Sequence, residues 1–572
     1  MLQILLMLVI FIAIILPMGK YLYHIALGKH TFADPLFDRV DNVIYRLCGI
    51  DKKEMNWKHY VFAMLATNAI MVFVGYVVLR IQGLLFLNPN GIGAMEETLA
   101  FNTIISFITN TNLQHYSGES GLTHLSQMIV IIFMMFTSAA TGFSVAIAFI
   151  RGITGKSKTM GNFYVDLIRI TTRVLLPLSL IVGLMLVSQG VVQNLSSNVT
   201  VDTMEGKYQD LTMGPIAALE SIKHLGTNGG GFMGANATAP FENPNVFTNM
   251  LEIFSMMLLP GSCIVMFGLM ARNRKKNSEK GKEKKIFLGN EAKPIFAVML
   301  LLLVVGAFVC FGAEQSGNPL LQKASLDQSM GNMEGKETRF GIAQSTFFTT
   351  VTTAFTTGSI NNMHDALTPL GGMVPLVNMM LNMVFGGKGV GLMNMILYVI
   401  LTVFICGLMV GRTPEYLAKK IEGKEMKLAA LGIIIHPLLI LAGTGIAMAI
   451  PSGVAGITNP GNHGLTQVLY EFSSSAANNG SGFEGLADNT AFWNISTGLV
   501  MFFGRYLSII ILLAIASSLM LKQPVNESIG TLRTDTKTFA IALFMVVIII
   551  AALTFFPALV LGPIAEHMIL WS

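Results

Sequence analysis

Charge is scarce in this sequence of 572 residues. Asp, Glu, Lys and Arg make up 12% of it and hydrophobic residues 53%, and the mean hydropathy is +0.62. Because a soluble domain is about one quarter charged, this shortage excludes a soluble enzyme. Apolar segments of about 20 residues, the length that spans a bilayer, recur along the chain. The composition therefore indicates a membrane protein with many spans.

Patterns typical of disulfides and metal sites are also lacking. The four cysteines, at 48, 263, 310 and 406, form no CxxC pair, and the ten histidines are scattered without metal-ligand spacing. We therefore expect no disulfide, no cysteine or histidine metal site and no functional histidine. Residues 1–19 have neither a positively charged n-region nor an A-x-A cleavage site, so we expect a retained span with its N-terminus outside.

Ten apolar spans are predicted, and the basic residues between them set their orientation. The spans are 2–22, 59–85, 125–150, 165–189, 246–271, 292–313, 372–411, 427–450, 493–521 and 538–561. Lys and Arg cluster in the intervening loops 20–58, 151–173, 272–285, 412–427 and 522–537. The stretches 86–124 and 451–492 contain neither residue. Because cytoplasmic loops carry the excess of positive charge, we place the basic loops in the cytoplasm.

The four long outer stretches share one plan. Each has a helical segment too short to cross the membrane, then a polar or glycine-rich knot, then the next span. The helical segments are predicted at 95–107, 214–225, 340–354 and 465–475, and the knots read SFITNTNLQ, LGTNGGG, AFTTGSINN and SAANNGSG. The knot centres, Asn110, Gly229, Gly358 and Gly480, lie at intervals of 119, 129 and 122 residues. A nearly constant period of this kind indicates an internal repeat.

The predicted fold is an all-α polytopic membrane protein with about ten transmembrane helices. Four channel-like repeats, each a helix, a pore helix, a filter and a second helix, surround a pseudo-fourfold axis, with one extra helix at each end. Within a single transmembrane domain, 1–572, the predicted units are 1–58 for the first helix and its cytoplasmic loop, 59–164, 165–285, 286–426 and 427–530 for the repeats, and 531–572 for the last helix.

Four such knots would bring uncharged oxygen atoms together at one outer mouth. Rings of backbone carbonyls replace the hydration shell of the ion in potassium filters, and glycine tolerates the positive φ that aims successive carbonyls to one side. A divalent ion would require carboxylates, and no knot contains one. A single glycine knot is equally well explained by a tight helix contact, but four at matching positions favour a filter for a monovalent cation.

A phosphate-binding loop is not present. GITGKS at 152–157 lacks the first glycine of GxxxxGK[ST], and FGGKGVG at 385–391 lacks the Ser or Thr after its lysine. We therefore expect no catalytic ATP site in this chain.

Many short motifs resemble the potassium-binding KdpA subunits of the bacterial Kdp complex, a P-type potassium-transporting ATPase; the family belongs to the superfamily of potassium transporters. The motifs are TNTNLQ, YSGE, GTNGGGF, PFENP, MHD, LGGMVP, VFGG, GRTPEYL, NPGNHGL and NNGSGF, spread over the whole length. The resemblance implies a non-catalytic subunit of an ATP-driven K⁺ uptake pump, with K⁺ as the transported ion and no other cofactor. It implies a bacterial cell membrane location and three partners: a P-type ATPase subunit (B), a C subunit and often a one-helix peptide (F). Ions would leave sideways, through an intramembrane tunnel toward the ATPase subunit.

The resemblance also assigns the filter residues. They are Thr109, Asn110, Thr111, Asn112, Thr227, Asn228, Gly229, Gly230, Thr357, Gly358, Ser359, Asn478, Asn479 and Gly480, with Gln114 beside them as a residue that affects potassium affinity. The chain departs from the family pattern in three places: many members have a tryptophan at Leu113 and a cysteine near Thr357, and some have a glutamate at Asn382. Because Asn382 carries no charge, the resemblance does not predict an ion-attracting carboxylate at this position.

Two polar interruptions of the spans are candidate gate or coupling elements. FGGKGVG, with Gly386, Gly387 and Lys388, is either a gating loop beneath the filter or a kink with a snorkelling lysine. The cost of charge inside a membrane favours the gate. Arg505, midway along its span, either bars a direct path to the cytoplasm or pins one helix to another, and both interpretations stay open.

Several other charged residues have two interpretations. Asp365, Glu119 and Glu242 either attract cations to the mouth or are ordinary solvated acids. The basic stretch 272–285 fits a docking surface for the ATPase subunit, but is more typical of a topology signal near anionic lipid.

Two other classes of function fit the sequence less well. A stand-alone Trk or Ktr type channel or ion-coupled transporter shares the four-repeat plan but not NGGG or GRTPEYL. A polytopic enzyme requires clustered His, Asp or Glu at membrane depth, and the sequence indicates no such cluster.

Overall fold

The architecture is described from a computed structural model that covers residues 2–31, 34–155, 159–276, 288–409, 411, 413–525 and 532–572. The side chains of 273–276 and of Lys388 lie outside this description. In chain order the helices are α1 Leu2–Ala26, α2 Asp34–Leu47, α3 Trp57–Ile81, α4 Glu97–Ile108, α5 Gly118–Gly121, α6 His124–Ser126, α7 Phe133–Thr154, α8 Phe163–Ile170, α9 Leu176–Ser188, α10 Ile216–Leu225, α11 Val246–Lys276, α12 Ala292–Gln315, α13 Pro319–Lys323, α14 Gly341–Ala354, α15 Pro369–Leu381, α16 Val390–Met409, α17 Gly423–Ala449, α18 Pro451–Val454, α19 Asn462–Ala477, α20 Ala491–Met520, α21 Lys537–Leu559 and α22 Ala565–Trp571.

Ten helical stretches in the described part of the chain are long and apolar enough to cross a membrane, which confirms the predicted number of spans. They are Leu2–Ala26, Trp57–Leu84, His124–Thr154, Phe163–Ser188, Val246–Arg272, Ala292–Lys323, Val390–Met409, Gly423–Ala449, Ala491–Met520 and Lys537–Trp571. The third, fourth and tenth are continuous only through single π-helical turns at Gln127–Ile132, Thr171–Leu175 and Val560–Ile564. The predicted interruption of 372–411 is present between Leu381 and Val390, and only the second half of this span, α16, is long enough to cross.

Sheet structure in the described residues is confined to two short hairpins. Strands β1 (Val199–Asp202) and β2 (Tyr208–Leu211) pair antiparallel in the loop between α9 and α10, with Val199 opposite Leu211. Strands β3 (Glu415–Tyr416) and β4 (Lys419–Lys420) pair in the loop before α17. Both hairpins lie in loops between helices, so the membrane-spanning part is all-α.

Four helices, α4, α10, α14 and α19, are too short to cross the bilayer. They contain 12, 10, 14 and 16 residues, which at 1.5 Å per residue is about 15–24 Å against a hydrocarbon thickness of about 30 Å. Nearly all their side chains are buried, including many Thr, Ser and Asn residues. Each helix therefore enters the protein interior from one side and stops inside it, as expected for pore helices.

The first helix is held by a close contact with α11. Residues Ile4, Phe11 and Ile15 of α1 are buried, whereas Leu5 and Val9 are exposed and face lipid. At Gly19 the backbones approach so closely that a Cβ atom would lie within 3.0 Å of Val265 and of the Ser262 carbonyl. Small residues at helix contacts have this role in membranes, where packing replaces the hydrophobic effect as the driving force.

Gly19→Leu is expected to lower the thermal stability of the purified protein. The added side chain must displace α11, and overpacking of this kind costs about 1–3 kcal/mol. Gly312→Leu on α12 is the matched control, because nothing lies within 4 Å of a Cβ there. Melting curves in the same detergent should show a lower midpoint for Gly19→Leu alone. Equal midpoints for the two variants would contradict the packing described here.

Candidate functional site

The four short helices each end in a segment with an alternating backbone. We name these the first to fourth re-entrant segments, residues 109–114, 226–231, 355–359 and 477–480. Each contains a pair of residues, two positions apart, with left-handed φ: Asn110 (59°) and Asn112 (57°), Thr227 (46°) and Gly229 (80°), Thr356 (48°) and Gly358 (90°), Asn478 (54°) and Gly480 (108°). In the second segment Gly230 (71°) is also left-handed. The residue between each pair does not have positive φ. Such alternation allows successive carbonyls to face the same side.

The same backbone hydrogen bond anchors every segment and fixes their alignment. The middle residue donates its N–H to the carbonyl five residues earlier in the short helix, and the four bonds are Thr111 to Ser106 (2.9 Å), Asn228 to Lys223 (2.8 Å), Thr357 to Thr352 (2.7 Å) and Asn479 to Ser474 (2.9 Å). This alignment makes Asn112 the equivalent of Gly229, Gly358 and Gly480. The centre predicted for the first knot, Asn110, was therefore wrong by two residues, because Asn replaces Gly at the left-handed position there.

The segments contact one another in a closed ring. The first meets the second through the Asn110 side chain, which donates to the Thr227 carbonyl at 2.9 Å. Around the rest of the ring a glycine lies against a carbonyl of the next segment, so that a Cβ would fall under 3.0 Å from it: Gly229 against Thr357, Gly358 against Asn479, and Gly480 against Thr111. The order first, second, third, fourth and back to the first brings all four segments around one centre.

Side-chain hydrogen bonds also hold the segments of this ring together. The Gln114 amide donates to the Gly231 carbonyl (3.0 Å) and accepts from the Gly231 N–H (2.7 Å). The Asn478 amide donates to Thr111 Oγ1 at 2.9 Å and to the Met501 carbonyl at 3.0 Å. These bonds join the first segment to both of its neighbours, so the amide side chains fix the backbone rather than face an ion.

All fifteen predicted filter residues lie in or beside these segments. Thr109 lies at the start of the first segment, where it has right-handed φ and is the C-cap of α4. Thr356 was missed by the sequence prediction, although it has left-handed φ and is the equivalent of Thr227. The only signal in the sequence was its place two residues before Gly358, which matches the spacing of Thr227 and Gly229.

The break between α15 and α16 lies directly against the third segment. Gly386 donates its N–H to the Ala354 carbonyl at 2.8 Å, and a Cβ on Gly387 would lie 3.0 Å from the Thr356 carbonyl. Phe385 stacks on Phe355, with ring centroids 4.6 Å apart. The predicted gate residues Gly386 and Gly387 thus contact the ring, whereas the side chain of Lys388 lies outside the described part of the structure.

Asn382 occupies the start of the same break. It has left-handed φ (46°) and its amide lies between two segments, accepting from Thr356 Oγ1 at 3.4 Å and donating to the Ala477 carbonyl at 3.5 Å. A neutral amide can bridge these two groups in both directions, whereas a carboxylate could only accept. The residue at this position therefore determines the hydrogen bonding next to the third and fourth segments.

Arg505 is buried next to the end of α19. Its neighbour Gly504 lies against the Ala476 carbonyl, and Arg505 itself is 4% exposed. Among the described residues no carboxylate lies within 4.0 Å of its guanidinium, and Nη2 is buried without a hydrogen-bond partner. The ion pair that would pin one helix to another is therefore missing from the described part, and a positive charge remains one turn beyond Met501, which binds the fourth segment.

Glu242 and Glu119 are engaged by other groups of the protein. Glu242 is fully buried and pairs with Lys223 at 2.9 Å, as does Glu220 at 2.8 Å, so its interpretation as a solvated or mouth acid was wrong. Glu119 accepts the Gly234 N–H at 2.8 Å. A buried ion pair of this kind holds the chain around the second segment in one arrangement, since a lone charge there would be strongly unfavourable.

Tertiary structure also brings together groups that the sequence does not. In the described residues, Glu220, His224 and Glu252 form one cluster and His115, Glu471 and Asp488 another, each with ligand atoms within 4.8 Å of one another. The spacing of these residues in the sequence indicated neither cluster. His224 also contacts the third segment, with Nε2 3.0 Å from Ser359 Oγ.

Asp365 and His463 form a partly exposed network with Glu566. His463 Nε2 lies 3.0 Å from Asp365 Oδ1, and its Nδ1 lies 2.8 Å from Glu566 Oε1 on α22. Burial alone would lower the pKa of His463, but hydrogen bonds from the imidazole to the two carboxylates raise it to about 10. The charged imidazolium therefore ties the loop after the third segment and the C-terminal helix to α19.

A closed ring of four re-entrant segments, enclosed by ten apolar helices in the described part of the chain, defines a channel-like membrane transport protein. The chain matches the potassium-transporting ATPase A subunit family over residues 5–568, and it belongs to that family. It is 58% identical to the potassium-transporting ATPase potassium-binding subunit of Clostridium acetobutylicum over 570 residues, covering 100% of both chains. Its identity to the subunit of the same name from Geobacillus kaustophilus is 56% over 558 residues, 97% of each.

The fold is also that of a known potassium transporter. The crystal structure of the potassium transporter TrkH from Vibrio parahaemolyticus aligns with a TM-score of 0.52 and 14% identity, covering 88% of this chain and 97% of the other. At this level of identity the likeness concerns the fold alone. It confirms the predicted fold class, a ten-helix channel-like architecture.

Replacing His463 by Gln is expected to destabilise the protein in a pH-dependent way. A pKa raised to about 10 in the folded state, from about 6.5 in the unfolded chain, gives a stabilisation that is complete below pH 6.5 and is lost as the pH rises to 10. The difference in melting midpoint between wild type and His463→Gln should therefore shrink between pH 6 and pH 10. His30→Gln, at a histidine whose side chain is 98% exposed, is the control, and a difference that is constant over this range would contradict the assignment.

Proposed function

We propose that this chain is the potassium-selecting subunit of an ATP-driven K⁺ uptake pump. The observation that carries the proposal is the closed ring of four backbone segments with alternating φ and no formal charge. Family membership supplies the context, since the relatives are named potassium-binding subunits of a potassium-transporting ATPase. In this view the ring is a filter that takes K⁺ from the outside.

The chemistry of the ring favours a weakly hydrated monovalent cation. Carbonyl dipoles without carboxylates compensate the dehydration of K⁺ but not that of a divalent ion. Three of the four contacts between neighbouring segments are made at glycines, so backbone oxygens of adjacent segments come close without intervening side chains. The ion contacts would then come from backbone oxygens of the residues from Thr109 to Gly480 assigned to the filter.

A second element of the proposal concerns the path beyond the filter. The break at Gly386 and Gly387 lies against the third segment, and the positive charge of Arg505 lies near the end of α19. Positive charge there opposes a straight cation path to the cytoplasm. We infer that K⁺ leaves sideways toward a P-type ATPase subunit (B), with a C subunit and a one-helix subunit (F) completing the complex in a bacterial cell membrane. The N-terminus would lie outside.

A stand-alone Trk or Ktr type channel or ion-coupled transporter is the second candidate, favoured by the likeness to the TrkH fold. Reconstitution separates the two. Vesicles that contain only this chain should show no sustained K⁺ flux, whereas vesicles that contain the complete complex should take up K⁺ when ATP is added. Sustained flux without partners or ATP would favour the second candidate. Soaking with rubidium or thallium should place heavy-atom density at the centre of the ring.

Gly229→Asp is expected to weaken discrimination between K⁺ and rubidium, ammonium or sodium. A side chain at this left-handed position collides with the Thr357 carbonyl and adds charge beside the ion path. Uptake competition assays on the complete complex measure the effect. Gly482→Ala is the control, because a Cβ there meets only the Glu471 side chain at an ordinary 3.6 Å. Unchanged selectivity in Gly229→Asp would contradict the placement of Gly229 in the ion path.

Arg505→Ala is expected to alter the coupling of ATP hydrolysis to K⁺ uptake without loss of the folded complex. Removal of the charge takes away the barrier to a direct path, so K⁺ should leak through vesicles in the absence of ATP. Arg505→Lys retains the charge and should behave like wild type in the leak assay. Normal coupling and no leak in Arg505→Ala would make this arginine a packing residue.

A further inference from the structure

The cluster of His115, Glu471 and Asp488 lies beside the ring but takes no part in it. His115 follows Gln114, which locks the second segment, and Glu471 belongs to α19, which leads into the fourth. The His115 Nε2 atom lies 3.2 Å from Glu471 Oε1 and 3.8 Å from Asp488 Oδ2. Three potential ligands from the first and fourth repeats thus converge on one point.

The spacing of these atoms suits a small divalent metal ion. Ligands bound to Zn²⁺ at about 2.0–2.2 Å in a tetrahedron are roughly 3.3 Å apart. The three atoms already lie within 4.8 Å of one another, so modest side-chain adjustments complete the geometry. Asp488 is 27% exposed, whereas the His115 side chain is fully buried, which leaves access for the ion and a fourth position for water from the outer surface.

The histidine is held in the orientation that a ligand needs. Its Nδ1 lies 2.7 Å from Asn494 Oδ1, and the Asn494 amide nitrogen is directed elsewhere, to Thr98 Oγ1 at 3.1 Å. The Asn494 oxygen can only accept, so Nδ1 carries the proton and Nε2 faces the two carboxylates. This arrangement is the usual outer-shell support of a metal-bound histidine.

The negative charge of the two carboxylates in the cluster also favours a bound cation. The two stretches that supply the cluster, 86–124 and 451–492, contain no Lys or Arg. A protonated His115 between two carboxylates leaves one negative charge uncompensated, whereas Zn²⁺ with a neutral imidazole and the same carboxylates gives a neutral site. The ion replaces the proton on Nε2, so binding releases that proton.

We propose that His115, Glu471 and Asp488 form a Zn²⁺ site on the outer side of the protein, joining the first and fourth repeats next to the filter ring. The site is distinct from the ring, and it stands whether or not the proposed transport function is correct. By fixing Glu471 of α19 against the residue after Gln114, a bound ion would stiffen the ring at the contact between the first and fourth segments.

Zinc titration of the purified, chelator-washed full-length protein tests this assignment. A competing chromophoric chelator reports stoichiometry and affinity, and we expect one site per chain in wild type that weakens as the pH falls. His115→Gln and Asp488→Asn should each weaken it by more than about tenfold, since even outer-shell changes cost 10–100-fold. His30→Gln, which alters another histidine next to a carboxylate, Asp34 at 3.2 Å, should leave it unchanged.

A thiolate substitution separates a metal ligand from an ion-pair partner. Asp488→Cys should retain zinc and add an X-ray absorption signature of sulphur coordination, with a Zn–S distance of about 2.3 Å, while a residue that acts only as an ion-pair partner of His115 would give none. Melting curves of each variant without metal check that it is folded. No tight site in wild type, or a site insensitive to both His115→Gln and Asp488→Asn, would overturn the proposal.

Discussion

Backbone polar groups cannot remain unpaired in the hydrocarbon core of a membrane, and the rest of this structure depends on how four chain segments meet that constraint. In each re-entrant segment the N–H of the middle residue turns back to the end of its short helix, as in Thr357 to Thr352. In three of the four segments, the carbonyl of the same middle residue lies against a glycine of the neighbouring segment, as that of Thr357 does against Gly229. The spanning helices form the enclosure that keeps this irregular backbone away from lipid.

The ring carries a conformational cost that its surroundings must offset. Left-handed φ at a residue other than glycine costs about 1–3 kcal/mol, and the positions concerned include two threonines, Thr227 and Thr356, whose β-branched side chains suit this region poorly. Hydrogen bonds from side chains such as Gln114 and Asn478 hold the backbone of the ring in this conformation. Glycines lie at the places where a side chain would collide with the neighbouring segment.

Side-chain networks connect one repeat to the next. His224 joins the second repeat to the third through Ser359, His463 joins the third to the fourth through Asp365, and His115 joins the first to the fourth through Glu471. Each network is at least partly buried, so its energy depends on every member being paired. Histidines that have no regular spacing in the sequence thus lie at the contacts between repeats.

The sequence by itself determined the ten spans, the short helices and the positions of the knots, because apolar length and local glycine and amide patterns are properties of consecutive residues. It placed Gly229, Gly358 and Gly480 at equivalent points but misaligned Asn112, since asparagine reaches left-handed φ where the other knots have a glycine. Only the tertiary structure decided the buried pairing of Glu242 with Lys223 and the meeting of His115 with Glu471 and Asp488. Those side-chain contacts, from Lys223 with Glu242 to His115 with Asp488, join residues that lie from 19 to 373 positions apart along the chain, and their formation depends on the packing of whole helices rather than on any local pattern.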